Sequence, residues 1–202
     1  MLGVNMDKKL QEVNKYLYGC FTVEKEINLL YVATTKKFPS AQLSVTTTAL
    51  AYNHQKNVAV LREILNPLIR THVSYSKLTK EYTEGVEEIR KLRNALDMKD
   101  NMEYEEVSDL LKDLATIEDY LDGLYADLIE SEFIENYSYT FAEATGLTGE
   151  NLEYILQALK QDNIKHKEML IEATFYYNKN QQRNVDTTPI VKYQNPNAWV
   201  QL

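Results

Sequence analysis

Six polar residues stand where a helical protein would ordinarily place apolar ones: Glu24, His54, Asn57, Glu130, Asn163 and His166. Each interrupts a hydrophobic stripe that advances in alternating steps of three and four, the spacing that turns one side of a helix toward its neighbours. Glu24 lies between Cys20 and Ile27, His54 and Asn57 between Leu50 and Leu61, and Asn163 and His166 between Leu159 and Leu170. A lone carboxylate buried on such a stripe costs several kcal/mol unless it is paired or bound to a metal. Two chemistries would meet that cost. One is a metal ion held by Glu24, His54, Glu130 and His166, with Asn57 and Asn163 as further donors. A mixed oxygen and nitrogen set of this kind suits Fe, Mn or Zn. The other is a closed network of Glu–His and Glu–Asn hydrogen bonds with no ion in it. The residues alone leave both open.

The elements that carry these residues are long helices, because the chain has few breakers: six Gly and four Pro. The spacing predicts a helix over about 6–38, ended by Pro39. A second covers about 40–70, capped by Ser40 or Ser44, its stripe broken near its end by Pro67. A third covers about 74–97, with Ser74 or Ser76 as cap. A long helix over about 102–145, stopped by Gly146, shows two stripes on nearly opposite faces. Val107, Leu110, Leu114, Leu121 and Leu128 are expected to face the 74–97 helix; Ala126, Glu130, Phe133, Tyr137 and Phe141 are expected to face the bundle. The last helix covers about 149–178. Residues 1–178 then form a single helical-bundle domain. Residues 179–202, rich in Asn, Gln and Thr, read as an extended arm whose Ile190, Val191, Tyr193 and Trp199 give it apolar area to dock with. The arm is expected to be ordered and to contribute to a homodimer.

Glu118 competes with Glu130 for the interior position, since it too lies on an apolar stripe and has Tyr125 seven residues later, as Glu24 has Tyr31. Counting along straight helices favours Glu130. From Glu130 to Thr145 is 15 residues and from Gly149 to Asn163 is 14, so both legs are about 21–22 Å and the two positions lie level. From Glu118 the first leg is 27 residues, about 40 Å on the same rise.

The chain also repeats itself. Val23-Glu24-Lys25-Glu26-Ile27 matches Ile129-Glu130-Ser131-Glu132-Phe133, with Tyr31 matching Tyr137. Ala49-Leu50, Asn53-His54, Lys56-Asn57, Leu61 and Glu63 match Ala158-Leu159, Asp162-Asn163, Lys165-His166, Leu170 and Glu172 at the same internal spacing. This reads as a duplicated helical hairpin. A helix with a seam Glu, followed by a helix with Glu-x-x-His and then by a crossover and a second copy, is the pattern of ferritin-like di-iron carboxylate bundles. Over about residues 10–72 and 115–178 the chain resembles that superfamily, in particular its rubrerythrin and bacterioferritin types. The resemblance implies an all-α, ferritin-like four-helix bundle with an extra crossover helix and a C-terminal tail. It matches Glu24 and Glu130 to the single glutamates and His166 to the second histidine. His54 stands at one bridging-Glu position, Asn57 at the first histidine, and Asn163 at the other bridging Glu. The implied function is a reduced metal site with oxidase or peroxidase-type chemistry, or an interaction protein that kept the fold without the reaction.

Composition bounds the rest. The net charge of −8 excludes nucleic acid as a main partner, since phosphate binding needs a basic surface. Cys20 is the sole cysteine, and its place on an apolar stripe predicts a buried, inert thiol. No window approaches the ~18 apolar residues of a membrane span, and nothing near Met1 reads as a signal peptide. These features point to the cytoplasm.

Overall fold

The computed structural model describes residues 2–70, 78–100, 102–130, 134, 139 and 142–186, with side chains described from Asn14 onward except at 69–70 and 181–186. Among the described residues every regular element is a helix: α1 (Leu2–Thr35), α2 (Ala41–Arg70), α3 (Lys80–Asp97), α4 (Tyr104–Glu130) and α5 (Gly149–Asp186). None of them is long and apolar enough to cross a membrane.

Local chemistry sets the boundaries. α1 stops short of Pro39, with the amides of Lys36 and Lys37 folding back onto the carbonyls of Ala33 and Thr34. The Ser40 carbonyl accepts from Ser44 at 3.0 Å and opens α2. Pro67 is carried inside α2, within a turn of its end, and its missing N–H leaves the Glu63 carbonyl without its helical donor. The cap of α3 is Thr79, whose hydroxyl accepts from the amide of Tyr82; the expected caps Ser74 and Ser76 lie outside the described residues. Glu103 opens α4 with a capping-box arrangement, its amide donating to the Glu106 carboxylate at 3.0 Å. Gly146, at φ 75°, takes the left-handed conformation that glycine adopts without strain.

Cross-helix contacts fix the directions. Glu24–His54, Asn28–Ala51 and Thr35–Thr47 run α1 and α2 antiparallel. Tyr104–Asn178 and Asp119–Lys167 do the same for α4 and α5. α1 packs along α2 and α4 along α5, and α1–α4 and α2–α5 contacts join the two pairs. α3 returns the chain alongside α1, so that α2 and α4 run in the same direction. Its main partner is therefore α1 rather than the first half of α4. The reason is local: the ring of Tyr82 lies over Gly19, where an added Cβ would come within 2.7 Å. Arg90 and Arg93 also clasp the carboxylate of Glu26 at 2.6 and 2.8 Å. The stripe of Val107, Leu110, Leu114, Leu121 and Leu128 is instead the core face of α4.

α5 continues through Asp186, so the stretch 179–186 is helix and not extended arm. The remainder of the expected arm, with Trp199, and the positions Phe133, Tyr137 and Phe141 lie outside the described residues. The core is aliphatic, with Leu17, Ile27, Leu30, Leu50, Leu61, Leu111, Leu114, Leu121, Leu156 and Leu170 sealed from solvent. Each such side chain contributes about 1.5–3 kcal/mol over leaving it exposed. That dry surround makes the polar residues within it costly.

Candidate metal centre

Halfway along the helices the core is interrupted by one polar layer. Glu24 and Tyr31 come from α1, His54 and Asn57 from α2, Glu118 and Tyr125 from α4, and Asn163 and His166 from α5. All eight are buried. The ring of His54 is the hub. Its Nδ1 lies 2.6 Å from Glu24 Oε2 and its Nε2 2.9 Å from Glu118 Oε1. Burial alone would drive this imidazole neutral. The charges of Glu118 and Glu24, with their hydrogen bonds, outweigh that and push its pKa up to about 10. His54 is therefore an imidazolium that donates to a carboxylate on each side.

The two tyrosines cross the layer. Tyr31 on α1 donates to Glu118 Oε1 at 2.6 Å, and Tyr125 on α4 donates to Glu24 Oε1 at 2.8 Å. Burial and the neighbouring carboxylates hold both phenols well above their ordinary pKa, so both stay donors. Asn57 Nδ2 adds a third donor to Glu24, at 3.1 Å from Oε1. Both oxygens of Glu24 are thus hydrogen-bonded.

Glu118 differs. Oε1 accepts from Tyr31 and His54, while Oε2 has no hydrogen-bond partner. His166 Nδ1 approaches that oxygen at 3.4 Å without forming a hydrogen bond, and both ring nitrogens of His166 are unpartnered. So are both ends of the Asn163 amide and the Oδ1 of Asn57. Asn163 sits one turn before His166 on the same helix face. The adjacent Asp162 accepts from Lys56 of α2, which brings Asn163 level with His54 and Asn57. Burial pushes the Glu118 carboxyl up, but the charge and hydrogen bond of His54 and the neighbouring His166 bring it down to about 2. It is an anion with one oxygen uncommitted.

His54, Glu118 and His166 each offer a ligand atom, and those three atoms lie within 4.8 Å of one another. An ion at that point would sit among two imidazoles and a carboxylate. Comparison with protein-family models, with characterised proteins and with solved structures returned no match.

The site therefore rests on its own geometry. Of the residues expected to meet in one layer, Glu24, His54, Asn57, Asn163 and His166 are buried at this level. Glu130 is not among them. It is exposed at the end of α4, and Glu118 holds the interior position. The expectation failed because it counted one straight helix to Thr145. In the structure the level is set by contact, with Glu118 lying against His54 and His166 of the neighbouring helices. Measured to the end of α4, Glu118 is 12 residues from Glu130, about 18 Å, close to the 21 Å from Gly149 to Asn163. The signal that could have found it was present: Glu118 and Tyr125 repeat the seven-residue spacing of Glu24 and Tyr31.

Proposed function

We propose that this chain is a divergent ferritin-like four-helix bundle, built from a duplicated hairpin, that binds one divalent transition-metal ion (Fe, Mn or Zn) in its polar layer. Glu118 and His166 are the primary ligands. His54 is a third donor through Nε2, where an ion displaces the proton shared with Glu118. The observation that carries this reading is the cluster of unpartnered polar atoms on Glu118, Asn163 and His166 inside an aliphatic core. Each such group costs about 1–3 kcal/mol if nothing binds it, and a cation satisfies the carboxylate and imidazole members together.

The corrected register gives up the match of residues 23–27 to 129–133 and keeps a repeated pattern of polar residues. Glu24 and Tyr31 pair with Glu118 and Tyr125 at one offset, and His54 and Asn57 pair with Asn163 and His166 at another. The contacts follow the same exchange: Asn57 faces Glu24 as His166 faces Glu118, and each tyrosine reaches the carboxylate of the other half. A two-iron centre does not fit this donor set. The layer holds two carboxylates, Glu24 is saturated with hydrogen bonds, and asparagine stands at one histidine position.

A second reading is favoured by the Glu24–His54–Glu118 bridge, which is closed by direct hydrogen bonds. In that reading the layer is a polar remnant inside an interaction protein. Elemental analysis separates the two. Protein stripped with chelator, reloaded with each metal and desalted should retain one ion per chain and melt higher in its presence. Less than about a tenth of an equivalent, with no thermal shift, would favour the polar remnant.

A further inference from the structure

This inference rests on the metal reading above and goes beyond it. Asn163 is fully buried, and neither end of its side-chain amide has a partner. Whichever way the amide is turned, one end is an NH₂ donor. A cation satisfies carbonyl and carboxylate oxygens and imidazole nitrogens, but it cannot accept from N–H. The other unpartnered atoms give no relief. Glu118 Oε2 and His166 are the metal donors, and Asn57 Oδ1, the other unpartnered acceptor of the layer, makes no hydrogen bond to Asn163. An ion alone would leave the Asn163 donor buried without an acceptor.

We propose that the coordination sphere is open on the Asn163 side and that a water-sized acceptor ligand, water or a small monoanion, is held there between the ion and the Asn163 N–H. Three protein donors, His54, Glu118 and His166, suit this arrangement. A closed structural site uses four protein ligands, whereas three leave a position for an exchangeable one. The amide stands at the position where the repeated hairpin places His54 in the first half. There the equivalent side chain bridges two carboxylates; here it has no partner and lies one turn before His166 on the same helix. The ligand class is set by size, because the layer lies sealed within the close-packed core and admits nothing larger than a few atoms without repacking.

The test uses the full chain loaded with Co(II), whose visible spectrum reports coordination, and azide as the probe. Wild-type protein should take up one equivalent of Co(II), and azide should change the spectrum saturably. Asn163→Leu should keep the cobalt stoichiometry and melting behaviour while weakening azide at least about tenfold, the effect of one hydrogen bond to a charged ligand. Asn163→Gln, which keeps the donor, should retain part of the affinity. Cobalt uptake with no azide response, or an Asn163→Leu response equal to wild type, would overturn the open-site proposal and leave the metal reading intact. No cobalt uptake by wild type would remove both.

Discussion

The two ends of one histidine bridge are finished differently. On the Glu24 side every carboxylate oxygen has a donor: Tyr125, Asn57 and His54 together saturate it. On the Glu118 side Tyr31 and His54 both bind the same oxygen, and the other has no hydrogen-bond donor, with His166 Nδ1 at 3.4 Å. The two halves share a Glu, a Tyr seven residues on, and a helix partner with two polar side chains three apart. They differ in which of those two carries the imidazole. With asparagine at 57, an amide N–H closes the site around Glu24. With histidine at 166, both ring nitrogens and Glu118 Oε2 are left without a hydrogen-bond partner. In the proposed reading, the exchange of His and Asn between positions 54/57 and 163/166 separates a structural half from a binding half.

The largest effects that break this comparison come from the open half. His166→Ala and Glu118→Gln should each weaken metal binding by more than about 100-fold, beyond the 10–100-fold typical of supporting groups. Glu24→Gln should weaken it less than either, because it removes no ligand. Isothermal titration of stripped protein orders the three. Equal losses for Glu24→Gln and Glu118→Gln would erase the distinction between the halves.

Next in size is the tyrosine pair. In the proposed metal reading, Tyr31 orients the ligand carboxylate by occupying Oε1 of Glu118, whereas Tyr125 braces Glu24, which is no ligand. Tyr31→Phe should lower metal affinity about 10-fold or more, in the range of an orienting hydrogen bond behind a ligand. Tyr125→Phe should change it by less than about threefold while costing stability of about 1 kcal/mol or more, the order of a lost buried hydrogen bond. The reverse order would assign the ion to the Glu24 side.

Much of this layer was legible because helical periodicity records burial directly. A Glu, His or Asn on an apolar seam must be inside, and Glu24, His54, Asn57, Asn163 and His166 were found that way. Glu118 was discounted for a reason periodicity cannot correct. Level along a bundle depends on where each helix ends, and the count to Thr145 assumed one straight rod. The position of α3 was also hidden. Its docking on α1 is set by Gly19, a residue without a side chain to read, and by Glu26, which lies two residues from Glu24 and off the seam. The eight residues that extend α5 past Asn178 are polar but for Val185 and carry no stripe to mark them as helix.

A smaller effect tests the contrast between this layer and the other buried acid. Glu26 is held by Arg90 and Arg93 at the α1–α3 contact. Burial opposes its ionisation, but the hydrogen bond and charge of Arg90, with Arg93, win and hold its carboxyl below the usual range. A depressed carboxyl stabilises the fold above its ordinary pKa. That contribution is lost as pH falls below about 4 through the folded value. Glu26→Gln should therefore cost about 1–2 kcal/mol at pH 7, discounted for the half-exposed Arg90. The difference from wild type should shrink toward pH 3, as chemical denaturation at the two pH values would show. Metal affinity should not change, since this pair lies outside the layer. Smallest of all, Cys20 should stay unmodified by thiol reagents at pH 8 in the folded protein. Burial pushes its thiol up to about 12.

The central claim is the location of the ion, and anomalous diffraction measures it directly. Crystals grown with Zn or Mn, with data collected on either side of the metal edge, should show one interior peak per chain. It should lie within about 2.0–2.3 Å of Glu118 Oε2 and of one His166 nitrogen, the usual range for such bonds. An interior free of anomalous density, or a peak bound by Glu24 or by the exposed Glu130 instead, would contradict the account.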